Sequence, residues 1–161
     1  MSTALATLEP QSLAEAEQFA RRLSESSLMP QSLRGKPADV LVVMLTGREL
    51  GVSPLTALRS IHVVQGRPVL DAALIVALVK KSPACLYFQL VESTDQRATY
   101  ETQRKGDPKP TTMSYTIEQA QKAGLTGKDN WKHHTAAMLR ARASSALARA
   151  VYPDLVLNVL T

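Results

Sequence analysis

Asn130-Trp-Lys-His-His-Thr-Ala-Ala-Met-Leu-Arg-Ala-Arg-Ala-Ser-Ser-Ala-Leu-Ala-Arg-Ala-Val-Tyr-Pro-Asp154 is the segment around which the rest of the chain is organised. It carries Lys132, Arg140, Arg142 and Arg149 and no acid from Asn130 through Pro153. Its alanine content predicts one helix from Thr135 to Tyr152, stopped by Pro153 because proline lacks the N–H that a helix interior needs. Leu139, Ala143, Ala146 and Ala150 follow the spacing of one apolar face. Arg142, Ser145 and Arg149 fall on another. Guanidinium groups match phosphate oxygens, and a small serine between them lets an anionic backbone come close. The alternative reading of the same spacing is a solvated basic helix face.

Outward from this helix, the 161 residues suffice for one domain with a sizeable core. Aromatics are only 4% of the chain, so that core must be built from Leu, Val and Ala. The formal charge of +5 favours polyanionic partners, and it is uneven. Residues 1–33 carry Glu9, Glu15, Glu17 and Glu25 against Arg21 and Arg22, which leaves the excess of cations in the rest. Cys85 is the only cysteine, which excludes an internal disulfide and a CxxC metal site. His133 and His134 are adjacent and point apart on a helix. The N-terminus lacks a secretory pattern and no run approaches a membrane span, so the expected setting is cytoplasmic, with no membrane partner.

Towards the N-terminus, Leu13, Ala16, Ala20 and Leu23 predict a helix over residues 11–25, with Phe19 beside the stripe. Residues 26–37, with Pro30, Gly35 and Pro37, read as an irregular linker. Residues 1–36 are thus an N-terminal helical arm and linker, and 37–161 the core. Residues 38–50 read as a buried helix stopped at Gly51. Ser53 can cap a short helix opened by Pro54. Ile61 to Leu70 is a hairpin turning at Gln65-Gly66-Arg67. Asp71 can cap a helix from Ala72 to Lys81 with Leu74, Ala77 and Leu78 inward. Strands follow at Cys85–Glu92 (Leu86, Phe88 and Leu90 on one face), Arg97–Arg104 (Ala98, Tyr100, Thr102) and Thr111–Tyr115. Thr116-Ile-Glu-Gln119 resembles a capping box opening a helix that ends at Gly124. A polar loop over 126–130 leads into the long helix, and residues 155–161 read as a strand or a loose end. The fold class is α+β: a three-stranded antiparallel meander and a short hairpin, packed by helices that include the long basic one.

No Walker loop, GxSxG, HExxH or DxDxDG pattern is present. The carboxylates Asp71, Glu92 and Asp154 are too scattered in sequence to mark a two-metal cluster. The expectation is therefore a protein that is not an enzyme and has no cofactor or metal. Candidate nucleic-acid contacts are Arg67, Arg97, Arg104 and Lys105 on strands and turns, Lys132 just before the last long helix, and Arg140, Arg142 and Arg149 along it. Lys109 shares the turn with Lys105. Tyr100 and Trp131 are candidates for base stacking, at about 1–3 kcal/mol per contact. Trp131 reads first as a core anchor under the helix start and second as a stacking platform.

Six motifs in register add a family resemblance: Glu49-Leu-Gly-Val-Ser-Pro-Leu55, Ala57-Leu-Arg-Ser-Ile-His-Val-Val-Gln-Gly-Arg-Pro68, Tyr115-Thr-Ile-Glu-Gln-Ala-Gln-Lys-Ala-Gly-Leu125, Trp131-Lys132, Met138-Leu-Arg-Ala-Arg-Ala143 and Ala148-Arg-Ala-Val-Tyr-Pro-Asp154. Together, over about residues 37–158, the chain resembles the RecT family of phage single-strand annealing proteins, relatives of the Redβ (Bet) recombinases. The resemblance implies ATP-independent binding of single-stranded DNA, annealing to duplex in homologous recombination, and a homo-oligomeric ring or helical filament. It implies DNA in a basic groove between a sheet and a long helix, with Arg142 and Arg149 on phosphates. Where family members often carry a basic residue before the Met-Leu pair, this chain has Ala136 and Ala137, which implies a less basic groove. Family members continue into a C-terminal region linked to a host single-strand-binding protein or a phage exonuclease; this sequence stops at Thr161, implying a short form. An acidic N-terminal helix that docks on a neighbour's basic surface is a further expectation. The competing expectation is a non-annealing interaction or regulatory subunit of the same fold.

Overall fold

The computed structural model describes residues 8–156, so the expectations for residues 1–7 and 157–161 lie outside the described residues. The protein is α+β, and its packing divides into two compact units at Asp71–Ala72.

In the first unit, helix α1 (Leu13–Ser24) starts where Ser12 Oγ accepts from the Glu15 N–H at 3.2 Å. It buries Ala16 and Ala20 of the predicted stripe together with Ser24, while Leu23 is half-buried and Leu13 is 60% exposed. Small residues at i, i+4 and i+8 let α1 lie close on helix α2 (Pro37–Glu49). The predicted acidity of the arm does not extend along α1, which carries Glu15 and Glu17 but also Arg21 and Arg22. The linker is irregular yet packed. Met29 and Leu33 are buried, and the Arg34 guanidinium donates to the carbonyls of Ser27 and Met29. Helix α2 buries only one face, Val40, Val43, Met44 and Gly47, and leaves Val42 and Leu45 exposed, so it is not the fully buried helix its composition suggested.

Gly47 is the close-approach point of this unit. A Cβ there would stand 2.4 Å from the Ala57 Cβ on helix α3 (Pro54–Ser60). Ser53 does not cap α3, because its hydroxyl donates to Thr56 Oγ1 at 3.0 Å. Strands β1 (Ile61–Val64) and β2 (Arg67–Leu70) pair antiparallel across a two-residue turn. Gln65 (φ 51) and Gly66 (φ 75) both take the positive φ that a type I′ turn requires. Arg67 is therefore the first strand residue, opposite Val64, and not part of the turn.

The second unit opens with helix α4 (Ala72–Lys81), which buries Leu74, Ile75 and Val79. Of the predicted inward residues Ala77 is exposed and Leu78 half-buried. Strands β3 (Cys85–Ser93), β4 (Arg97–Arg104) and β5 (Thr111–Thr116) form the antiparallel meander in the order β3-β4-β5. The predicted apolar face of β3 fails at two of its three residues. Phe88 is 4% exposed, but Leu86 and Leu90 are 61% and 46% exposed. Breaks in register between Cys85 and Tyr87 and between Leu90 and Glu92 interrupt the alternation of this edge strand. Strand β4 buries Ala98 and Thr102 and half-buries Tyr100, as predicted, but Thr99 of the opposite face is buried too, its hydroxyl 2.7 Å from Ser114 Oγ.

Thr116 and Gln119 form the predicted capping box of helix α5 (Ile117–Lys122): the Gln119 N–H donates to Thr116 Oγ1 and the Thr116 N–H to Gln119 Oε1. The polar loop ends in a short helix, α6 (Asp129–His133), before helix α7 (Thr135–Val151), and α8 (Pro153–Val156) occupies part of the segment read as a strand or loose end. Helix α7 covers β4 and β5, α4 covers β3, and the two helices pack on each other.

No single helix among the described residues is long and apolar enough to cross a membrane. Helices α2 and α3 together reach that length and composition, but they are bent by 108° at the break between them.

Candidate nucleic-acid interface

Helix α7 has a core face and a free face, and the core face keeps Leu139 and Ala143 of the predicted one. Leu139, Ala143, Ser144, Leu147 and Ala148 are buried, while Ala146 is half-buried and Ala150 exposed. The helix is clamped on two sides, by the sheet and by α4, so its buried arc is wider than a single apolar stripe. Leu139 and Ala143 pack with Ala98, Ala120, Leu125 and Trp131, and the alanines let the helix sit close on the strand. Trp131 is 2% exposed and holds the start of α7, where the Thr135 hydroxyl donates to its carbonyl at 2.7 Å. It cannot stack on a base without leaving the core, so its place among the candidate contacts is corrected to that of a structural anchor.

Arg142 and Arg149 stand on the exposed face of α7, with the half-buried Ser145 between them. They are seven residues apart, about 10 Å along the axis and within about 20° around it. Neither side chain makes a hydrogen bond or ion pair among the described residues. The Arg149 pKa is lowered from its ordinary value, first by desolvation and then by the charge of Arg142. Two like charges two helical turns apart, neither paired with a carboxylate among the described residues, form a face that suits an anion.

The other predicted cations are dispersed. Arg140 lies about 200° around α7 from Arg142 and donates to Ser93 Oγ at 2.9 Å, so it belongs to a different surface. Arg97 is engaged by Glu92, with Nη2 and Oε2 2.8 Å apart. Arg104 is the most committed of the set. It makes a two-pronged pair with Asp154 at 2.6 and 2.9 Å, donates to the Val151 carbonyl at 2.8 Å, and lies 5.3 Å over the Tyr152 ring. Its role is corrected from phosphate contact to a tie between β4 and the end of α7, since contacting DNA would cost it these partners. The hydrogen bond from Arg104 holds the Asp154 carboxyl below its ordinary pKa. Tyr152 itself is fully buried, with its hydroxyl 2.7 Å from Thr102 Oγ1, and burial pushes its pKa up to about 12. Lys132 and Lys105 are exposed in the second unit, and Arg67 lies on β2 of the first. Tyr100 is half-buried against the α7 cluster, its ring centroid 5.7 Å from that of Phe88.

The exposed pair Lys80 and Lys81, in the last turn of α4, was not among the candidates. Their adjacency reads as ordinary complementation of a helix C-terminus, and only the contacts of the following loop give them neighbours. Charge could have found them. From Ala72 onward the chain has twelve basic against seven acidic residues, and up to Asp71 it has seven of each, so the whole net charge belongs to the second unit. Among the described residues no group of three or more His, Cys, Asp or Glu side chains is placed to hold a metal ion.

Fold and site together define a small α+β protein whose basic unit presents an arginine pair on one helix. No protein-family model matches the chain, and no curated protein matches it.

Proposed function

We propose that this protein binds single-stranded DNA and anneals complementary strands without ATP in homologous recombination, as an oligomer, in the manner of the RecT family its motifs resemble. The observation that carries the reading is the Arg142–Arg149 face: two exposed guanidiniums on one side of a helix, with no hydrogen bond or ion pair among the described residues, in a unit that carries all of the net positive charge. Phosphates lie along this face and their counterions are released, which makes binding independent of sequence and sensitive to salt. The bases stay free, and Watson–Crick pairing with a second strand supplies the selection. The test is pairing of two complementary labelled oligonucleotides in buffer free of nucleotide, with particle mass read in the same samples by light scattering. Faster pairing by assemblies much larger than a protomer supports the reading. Pairing at the protein-free rate at low salt defeats it.

A second reading, a non-annealing interaction subunit of the same fold, is favoured by two observations. Arg97 and Arg104 are engaged within the chain. Large apolar side chains are exposed in both units, Leu28 at 93% and Leu86 at 61% among them. A folded protein that leaves oligonucleotides unbound at low salt selects this reading.

A further inference from the structure

The two ends of the meander differ in charge, and the difference is built by backbone contacts. At one end the Ile117 N–H donates to the Gln96 carbonyl at 2.9 Å and Arg140 reaches Ser93. Glu92, Asp95 and Glu118 gather there with Arg97 and Arg140. At the other end the Lys105 N–H donates to the Ala84 carbonyl at 2.7 Å, which sets the β4–β5 turn beside the link that follows α4. That bond places Lys105 at the end of the meander where α4 finishes in Lys81, and Lys109 belongs to the same β4–β5 turn. The Arg104–Val151 bond seats the last turn of α7, and with it Arg149, at this same end. The carboxylates here are Asp107 and Asp154, and Asp154 is taken by Arg104. Lys81, Lys105 and Lys109 are exposed, and their side chains have no hydrogen-bond or ion-pair partner among the described residues. A helix C-terminus accounts for Lys81 alone; Lys105 and Lys109 lie in a turn and complement no helix.

We propose that Lys81, Lys105 and Lys109 form a second phosphate-contacting patch, which takes the backbone of the same nucleic acid beyond the Arg142–Arg149 face. The inference rests on the DNA-binding reading and adds where the strand runs: past the end of α7 and over the β4–β5 turn. The experiment measures binding of a labelled oligothymidylate across salt for four proteins. They are the unaltered chain, Lys81→Gln/Lys105→Gln/Lys109→Gln, Arg142→Ala/Arg149→Ala, and a charge control, Arg21→Gln/Arg22→Gln/Lys36→Gln, which removes three cations from the first unit. Three lost contacts at about 0.7 each flatten the log–log salt slope of the lysine variant by about 2, with the control slope unchanged. A lysine-variant slope equal to that of the unaltered chain or of the control overturns the patch. If the arginine variant alone is flattened, the patch fails and the function stands. If the unaltered protein does not bind at low salt, both fall together.

Discussion

Replacing Arg142 and Arg149 together by alanine isolates the site on which the proposed function rests. Both side chains are exposed and make no hydrogen bond or ion pair among the described residues, so the substitution breaks no polar contact. It also removes two like charges from one helix face, and alanine is at least as good a helix former as arginine. The free variant should therefore melt at the same temperature as the unaltered protein or slightly above it. Binding should change in a specific way. Each phosphate contact on a single strand contributes about 0.7 to the salt slope, so two contacts flatten it by about 1.4. Over a fourfold range, as from about 50 to 200 mM salt, a slope difference of that size makes the defect about sevenfold larger at the low end. Fluorescence anisotropy of a short labelled oligonucleotide at several salt concentrations reads this directly. Arg140→Ala is the internal contrast: it loses the Ser93 contact on the far side of the helix and should leave the slope alone. Parallel lines for the double variant and the unaltered protein refute the assignment of these arginines to phosphates, however much the overall affinity falls.

The buried position of Trp131 predicts that Trp131→Ala costs about 3–5 kcal/mol in denaturant unfolding. As the only tryptophan it should also keep its emission unchanged when DNA is added; a quench on binding would return it to the base-stacking list. Gly47→Ala places a methyl against Ala57 and should destabilise by about 1–3 kcal/mol; an unchanged urea midpoint would mean the two helices separate freely. The depressed Asp154 carboxyl stabilises the fold above the unfolded carboxylate range, near about pH 4, and loses that contribution as pH falls through its lower folded value. Melting temperatures of Asp154→Asn and the unaltered protein should thus converge on acidification, and a constant gap would sink the ion pair as its cause. Tyr152 works in the opposite direction. With its folded pKa raised to about 12, its contribution is present below the ordinary tyrosine value near about 10 and lost as pH climbs through 12. Tyr152→Phe should remove that part of the alkaline unfolding, and an identical alkaline limb in both proteins would contradict it.

Much of this protein was legible along the chain because it depends on neighbours a few residues apart. The capping box at Thr116 and Gln119, the hairpin turn around Gln65-Gly66 and the arrest of α7 at Pro153 are all local chemistry. The arginine face is local too, since helical spacing alone puts Arg142 and Arg149 on one side. What tertiary structure decided was which cations remain available. Arg104 and Asp154 are fifty residues apart, and only the packing of α7 along β4 joins them. The same packing widened the buried arc of α7 to include Ser144 and Ala148, because a helix held between a sheet and another helix buries more than one stripe. Interrupted register on an edge strand undid the apolar face predicted for β3. Residue order determined the elements, the turns and the sign of the charge; distant contacts, which set burial and ion pairing, determined that Trp131 and Arg104 hold the fold and that Arg142 and Arg149 are left facing solvent.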